Sequence, residues 1–159
     1  MTIVVRPTIP DDMAELLAML RELAAFEQAP PDALGCTEAA FRRDGFGPGR
    51  RFECLFAEAE GRVAGFITLL PGYSSWLALP GLVIHDLFVR AAARGQGVAT
   101  ALVAAAKRLA EDRHCGRIDV NVLSWNSARV FYEKQGFAPQ ADWMLHRFVV
   151  ADRRKEASP

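Results

Sequence analysis

Apolar and polar positions along the chain fall into short runs whose spacing alternates between strand-like and helix-like. Thr2 to Arg6 is β-branched and weakly alternating, which predicts a first strand halted by Pro7 to Pro10. Asp11 and Asp12 then offer an N-cap to a helical stripe of Met13, Leu16, Leu17, Leu20, Leu23 and Ala24, ending near Phe26 to Gln28 because Pro30 and Pro31 follow. Thr37 with Glu38 to Asp44 predicts a second short helix, closed by the turn-rich Gly45 to Gly49. Phe52 to Ala59, a Glu60-Gly61 turn and Arg62 to Leu70 predict a hairpin, and Pro71 to Gly81 reads as a loop.

Leu82 to Arg90 predicts a further strand, followed by a turn at Gly95 and Gly97. Val98, Leu102, Val103, Ala106, Leu109 and Ala110 repeat at helical spacing, with Lys107, Arg108, Glu111 and Asp112 on a solvated face. Gly116 is expected to end this helix before a strand over Arg117 to Leu123. A strand, helix, strand crossover of that kind implies a parallel pair. Asn126 to Gln135 predicts a last helix stopped by Gly136, Trp143 to Val150 a final strand, and Asp152 to Pro159 a frayed polar tail. The fold class is mixed α/β around one sheet, in a single domain over residues 1–150 with the tail at 151–159.

Length and composition agree with one soluble globular domain: 159 residues, 51% apolar and 24% charged. Lys plus Arg and Asp plus Glu both number 19, so the chain lacks the basic footprint that nucleic acid requires. No apolar run has the length of a membrane span and no leader pattern opens the chain, so a cytoplasmic protein is expected. Cys36, Cys54 and Cys115 are odd in number and widely spaced, which suggests reduced thiols. His114 and His146 share no metal-ligand spacing, and no metal is expected.

The segment richest in chemistry is Arg94-Gly95-Gln96-Gly97-Val98-Ala99-Thr100, between a strand and a helix. The first N–H groups of a helix have no internal partners, and glycines let an anion approach them, so this turn can cradle a phosphate. It is neither a P-loop nor a dinucleotide fingerprint. A glycine turn alone serves purely structural ends just as often.

Arg94, Gly97 and Ala99 match the signature of the GNAT family of N-acetyltransferases: Arg or Gln, two residues, Gly, one residue, Gly or Ala. The preceding His85-Asp86-Leu87-Phe88-Val89-Arg90 resembles that family's fourth strand. Trp125-Asn126, Ala128, Phe131-Tyr132 and Gly136-Phe137 resemble its second motif, with Tyr132 six residues after Asn126 where the family has seven. Within the family the chain is similar to diamine (spermidine/spermine) acetyltransferases, through Glu22 to Glu27, Asp44 to Gly47, Trp76 and Trp143 as well.

The resemblance implies a GNAT-like, mostly antiparallel sheet of six to seven strands with a central parallel pair, and a homodimer. It implies that acetyl-CoA is held by backbone amides of Leu87, Phe88 and Val89 and of Gly95 to Thr100, with Arg94 and Asn126. It also implies a small primary amine as acceptor, held near Phe26, Glu27, Trp76, His85, Asp86 and Trp143. Direct transfer needs a neutral amine, and a lysine-like amine of pKa about 10.4 is mostly charged near neutral pH. His85 is the candidate base or water-relay partner, standing where the relatives carry a carboxylate. Tyr132 is the candidate proton donor to the leaving thiolate. Neighbouring strand residues alternate faces, so only one of His85 and Asp86 is expected to face the acceptor. Bland alternatives are a core tyrosine, a satisfied strand histidine, solvated carboxylates and tryptophans used in packing. At the level of function, acetylation of a protein or peptide amine, or a non-catalytic acyl-CoA-binding module, competes with the small-amine reading.

Overall fold

A computed structural model describes residues 2–30 and 32–150, and the predicted tail lies outside them. The chain divides into two compact units, Met1–Asn121 and Val122–Pro159.

The first unit is built on a five-stranded sheet in the order β1 (Ile3–Pro7), β2 (Glu53–Ala59), β3 (Arg62–Ser74), β4 (Leu79–Val89), β5 (Arg117–Val120). All neighbours are antiparallel except β4 and β5, which form the parallel pair expected of the crossover. The mixed α/β class holds. Among the described residues there are five strands, not six or seven.

Helix α1 (Met13–Phe26) covers one face. Met13, Leu16, Met19 and Leu23 pack with Cys54, Phe56, Phe66 and Phe88. Burial of each such large side chain stabilises the fold by about 1.5–3 kcal/mol. Arg90 fastens α1 to the end of β4: Nη1 lies 2.6 Å from Glu15 and Nη2 3.0 Å from Glu22. Helix α2 (Glu38–Asp44) starts at Thr37, whose Oγ1 accepts the Ala40 N–H at 3.1 Å. Helix α3 (Val98–Asp112) lies on the sheet with Val98, Leu102, Val103 and Ala106 buried.

Several local expectations change. Residues 71–81 are a hairpin, with β3 running through Ser74 and β4 starting at Leu79 around a turn that puts Ala78 at φ 51°. Pairing of β3 with β4 overrode its Pro and Gly content. At the α1 start, Asp12 accepts from Ile9 N–H at 2.8 Å and pairs with Arg6 at 2.7 Å; it makes no side-chain cap to α1. The turn after α3 is made by His114 in the left-handed region (φ 54°). Gly116 instead clears space: a Cβ there would meet Leu77 at 3.0 Å and Leu79 at 3.1 Å. Strand β5 stops at Val120, short of Leu123.

The second unit contains α4 (Ala128–Lys134), ended as expected by Gly136 at φ 88°. The strand predicted for Trp143 to Val150 does not form. The segment is irregular, with Trp143, Met144, Leu145, Phe148, Val149 and Val150 exposed. Alternating β-prone residues make a strand only where another strand supplies hydrogen-bond partners.

Candidate active site

The register of β3 and β4 decides the site. Leu69 pairs with Ile84 and Thr68 with Asp86, so His85 is an extra residue, a β-bulge on β4. Pairing with β5 ends at the same place, at Ile84 with Val120. Beyond the bulge Arg90 N–H bonds to Ala64 at 2.9 Å, so by alternation the Phe88 amide also turns to β3 while those of Leu87 and Val89 turn away from it.

The bulge corrects the expected separation of His85 and Asp86. Instead of pointing to opposite faces, the two side chains meet, His85 Nδ1 lying 2.8 Å from Asp86 Oδ2. A carboxylate at that distance only accepts, so Nδ1 carries the hydrogen, and in the neutral ring Nε2 is the basic nitrogen. His85 is 63% exposed, and the Asp86 side chain is half-buried. Thr68, which the sequence reading passed over, completes the arrangement. Its Oγ1 donates to Asp86 Oδ2 at 2.8 Å and accepts the Asp86 N–H at 3.0 Å. The one signal for it was a hydroxyl inside the apolar run Phe66 to Leu70.

Glu27, the residue after α1, joins this group. Its carboxyl is held above the usual carboxylate range by burial and, secondarily, by the negative charge of Asp86. Two carboxylates and an imidazole thus share one neighbourhood. Trp76 does not belong to it: it sits on the β3–β4 turn, 94% exposed, and Leu79, where β4 begins, is about 20 Å of strand from His85. Trp143 belongs to the second unit and is 78% exposed.

The glycine turn has the predicted form. Gly95 and Gly97 sit at φ 74° and 87°, and no heavy atom lies within 4 Å of a Cβ built on Gly95. Intrahelical bonding begins with Ala101 N–H to Gly97 at 3.0 Å, so the amides of Val98 and Ala99 precede it at the positive end of a fifteen-residue helix. Gln96 Nε2 donates to the Ala92 carbonyl at 3.0 Å and Thr100 lies one turn into α3. Arg94 is turned back: its guanidinium lies 4.9 Å from the Phe26 ring and 5.8 Å from that of Phe88, and Nε donates to the Val89 carbonyl at 3.0 Å.

In the second unit Tyr132 is 7% exposed, its ring edge-on to Phe131 at 5.3 Å and to Phe137 at 5.4 Å. Asn126 Oδ1 accepts the Ala128 N–H at 2.9 Å, starting α4. That spends the side-chain carbonyl on the shortened helix start.

Residues 16–137 match the sequence profile of the Acetyltransferase (GNAT) family. This chain belongs to that family. As a GNAT acetyltransferase it is 30% identical over 156 residues to a thialysine N-epsilon-acetyltransferase of Mus musculus, covering 91% of each chain. It is 30% identical over 148 residues to spermidine/spermine N(1)-acetyltransferase-like protein 1 of Homo sapiens, across 86% of this chain and 21% of that one. An L-ornithine N5-acetyltransferase of Arabidopsis thaliana is 37% identical over 88 residues, 55% of this chain and 39% of that one. Among solved structures, an integron cassette protein of V. cholerae has the same fold, with a TM-score of 0.78 at 21% identity over 100% of this chain and 99% of that one.

GNAT acetyltransferases draw the acetyl group from acetyl-CoA. The residues present suit that donor: left-handed glycines with open space, and helix-start amides at the positive end of α3, match a pyrophosphate.

Proposed function

We propose that this acetyltransferase moves the acetyl group of acetyl-CoA to a primary amine of a small molecule, a lysine-like amino acid, diamine or polyamine, by direct transfer. The observation that carries the reading is the His85–Asp86 contact at 2.8 Å, close enough to Glu27 for the Asp86 charge to be felt there. Among the described residues no donor reaches Asp86 Oδ1, which leaves it for a substrate ammonium. Similarity to acetyltransferases named for thialysine, ornithine and spermidine supports the same class of acceptor.

In this reading Leu87 and Val89 amides align the thioester arm, and Gly95 to Thr100 hold the pyrophosphate. Glu27 and Asp86 hold the ammonium. His85 Nε2 takes one proton from it, and the neutral nitrogen attacks the thioester carbon. As the carbon–sulfur bond breaks, the Tyr132 hydroxyl protonates sulfur, and the second proton lost from nitrogen returns to Tyr132 through solvent. A phenol ordinarily holds its proton more tightly than a thiol, so the transfer demands close placement. The protein is proposed to act as a cytoplasmic homodimer. Apolar side chains exposed at 143–150 supply surface for a second copy, and light scattering measures the stoichiometry.

The deciding experiment is thiol release from acetyl-CoA across lysine analogues, diamines, polyamines and peptides. Turnover of small cationic amines is expected. Turnover of peptides alone would replace the acceptor class, and binding of acetyl-CoA with no release would make the protein a non-catalytic module.

A further inference from the structure

We propose that Thr68 is a positioning residue for the acceptor site, holding Asp86 so that one carboxylate oxygen binds His85 while the other meets the ammonium. The inference rests on the acceptor reading above and assigns a residue that reading does not contain.

The argument begins with the bulge. An extra residue in β4 displaces the ladder where Asp86 would bond to the β3 backbone, and the Asp86 N–H finds the Thr68 hydroxyl at 3.0 Å instead. The same hydroxyl spends its one hydrogen on Asp86 Oδ2 at 2.8 Å. Thr68 therefore grips both the main chain and the side chain of Asp86, from a strand position that is only 6% exposed. A threonine on a strand is also stiff at χ1, so the grip costs little rotamer freedom. With Oδ2 occupied by Thr68 and His85, the carboxylate plane is set, and Oδ1 is directed by exclusion. A serine in its place retains the donor and acceptor, and a valine retains the shape without either.

The titratable groups around Asp86 are His85 on its own strand, Glu27 after α1, and Cys54 on β2. Cys54 is a buried thiol whose pKa is pushed up by its surroundings, so it stays neutral. Among these, Asp86 is in direct contact with the His85 ring, so a change in its orientation is read in the titration of His85.

The test compares Thr68→Val and Thr68→Ser with wild type in the full-length protein. With acetyl-CoA affinity unchanged, Thr68→Val is expected to raise KM for the preferred amine about tenfold, with a smaller effect on kcat. His85, followed by NMR titration of its imidazole, is expected to titrate lower in Thr68→Val by about half a pH unit or more, since Asp86 is free to turn from it. Thr68→Ser is expected to restore both values toward wild type. The titration needs no substrate, so it decides the role of Thr68 even if no amine is turned over. An unchanged His85 titration in Thr68→Val, or Thr68→Ser behaving as Thr68→Val does, would overturn the proposal.

Discussion

The guanidinium of Arg94 lies 4.9 Å over the ring of Phe26, tying the glycine turn to the end of α1. Arg94 is the first residue of the family signature, and Phe26 precedes Glu27, proposed above to hold the acceptor. The glycine turn and α1 are thus one packed assembly within the first unit. A lysine reproduces neither the planar stacking nor the Nε bond to Val89. Arg94→Lys is expected to lose about 1 kcal/mol of stability, measured by urea unfolding, and to weaken acetyl-CoA binding measured by calorimetry. Unaltered stability would show that the stacking contributes nothing.

The glycines of this region answer to different constraints. Gly95 and Gly97 are held by positive φ alone, so alanine at either should cost about 1–2 kcal/mol and distort the amides proposed to receive the pyrophosphate. Gly65, paired with Val89, has no room: a Cβ there would lie 2.5 Å from the Phe88 carbonyl oxygen. Gly65→Ala should therefore cost more, about 3 kcal/mol. Denaturant midpoints rank the three, and a milder Gly65→Ala would refute the ranking.

Glu27 gives a pH dependence. A carboxyl whose folded pKa is raised disfavours the folded state once ionised, so its burden is absent well below the ordinary value of 4.5 and grows as pH rises through the raised value. Glu27→Gln is expected to melt higher than wild type at neutral pH and equally at pH about 4, while binding the amine more weakly. Asp86→Asn removes the neighbouring charge and should lower the Glu27 titration, which carboxyl NMR can follow.

Tyr132→Phe keeps the ring between its two aromatic neighbours and removes only the hydroxyl. The protein should still fold and bind acetyl-CoA while kcat falls about a hundredfold or more. Undiminished turnover would take Tyr132 out of the proton-donor role.

Much was legible in the chain because local chemistry governed it. The 3.6-residue repeat of α3, the Thr37 cap, the Glu60-Gly61 turn and the glycine cradle each follow from a few neighbouring residues, and with the Tyr132 motif they were enough to indicate the acetyl donor. The hairpin at 71–81 and the unformed strand at 143–150 were misread for one reason: strands exist by virtue of partners remote in sequence. Register was likewise beyond local reading. Only the alignment of β3 with β4 makes His85 a bulge, brings its ring to Asp86 and recruits Thr68, since a one-residue shift between strands changes which side chains share a face. The sequence by itself determined the strand, turn and helix that carry the family's glycine signature. The tertiary structure alone decided which polar groups converge on Asp86, because that convergence depends on pairing between strands.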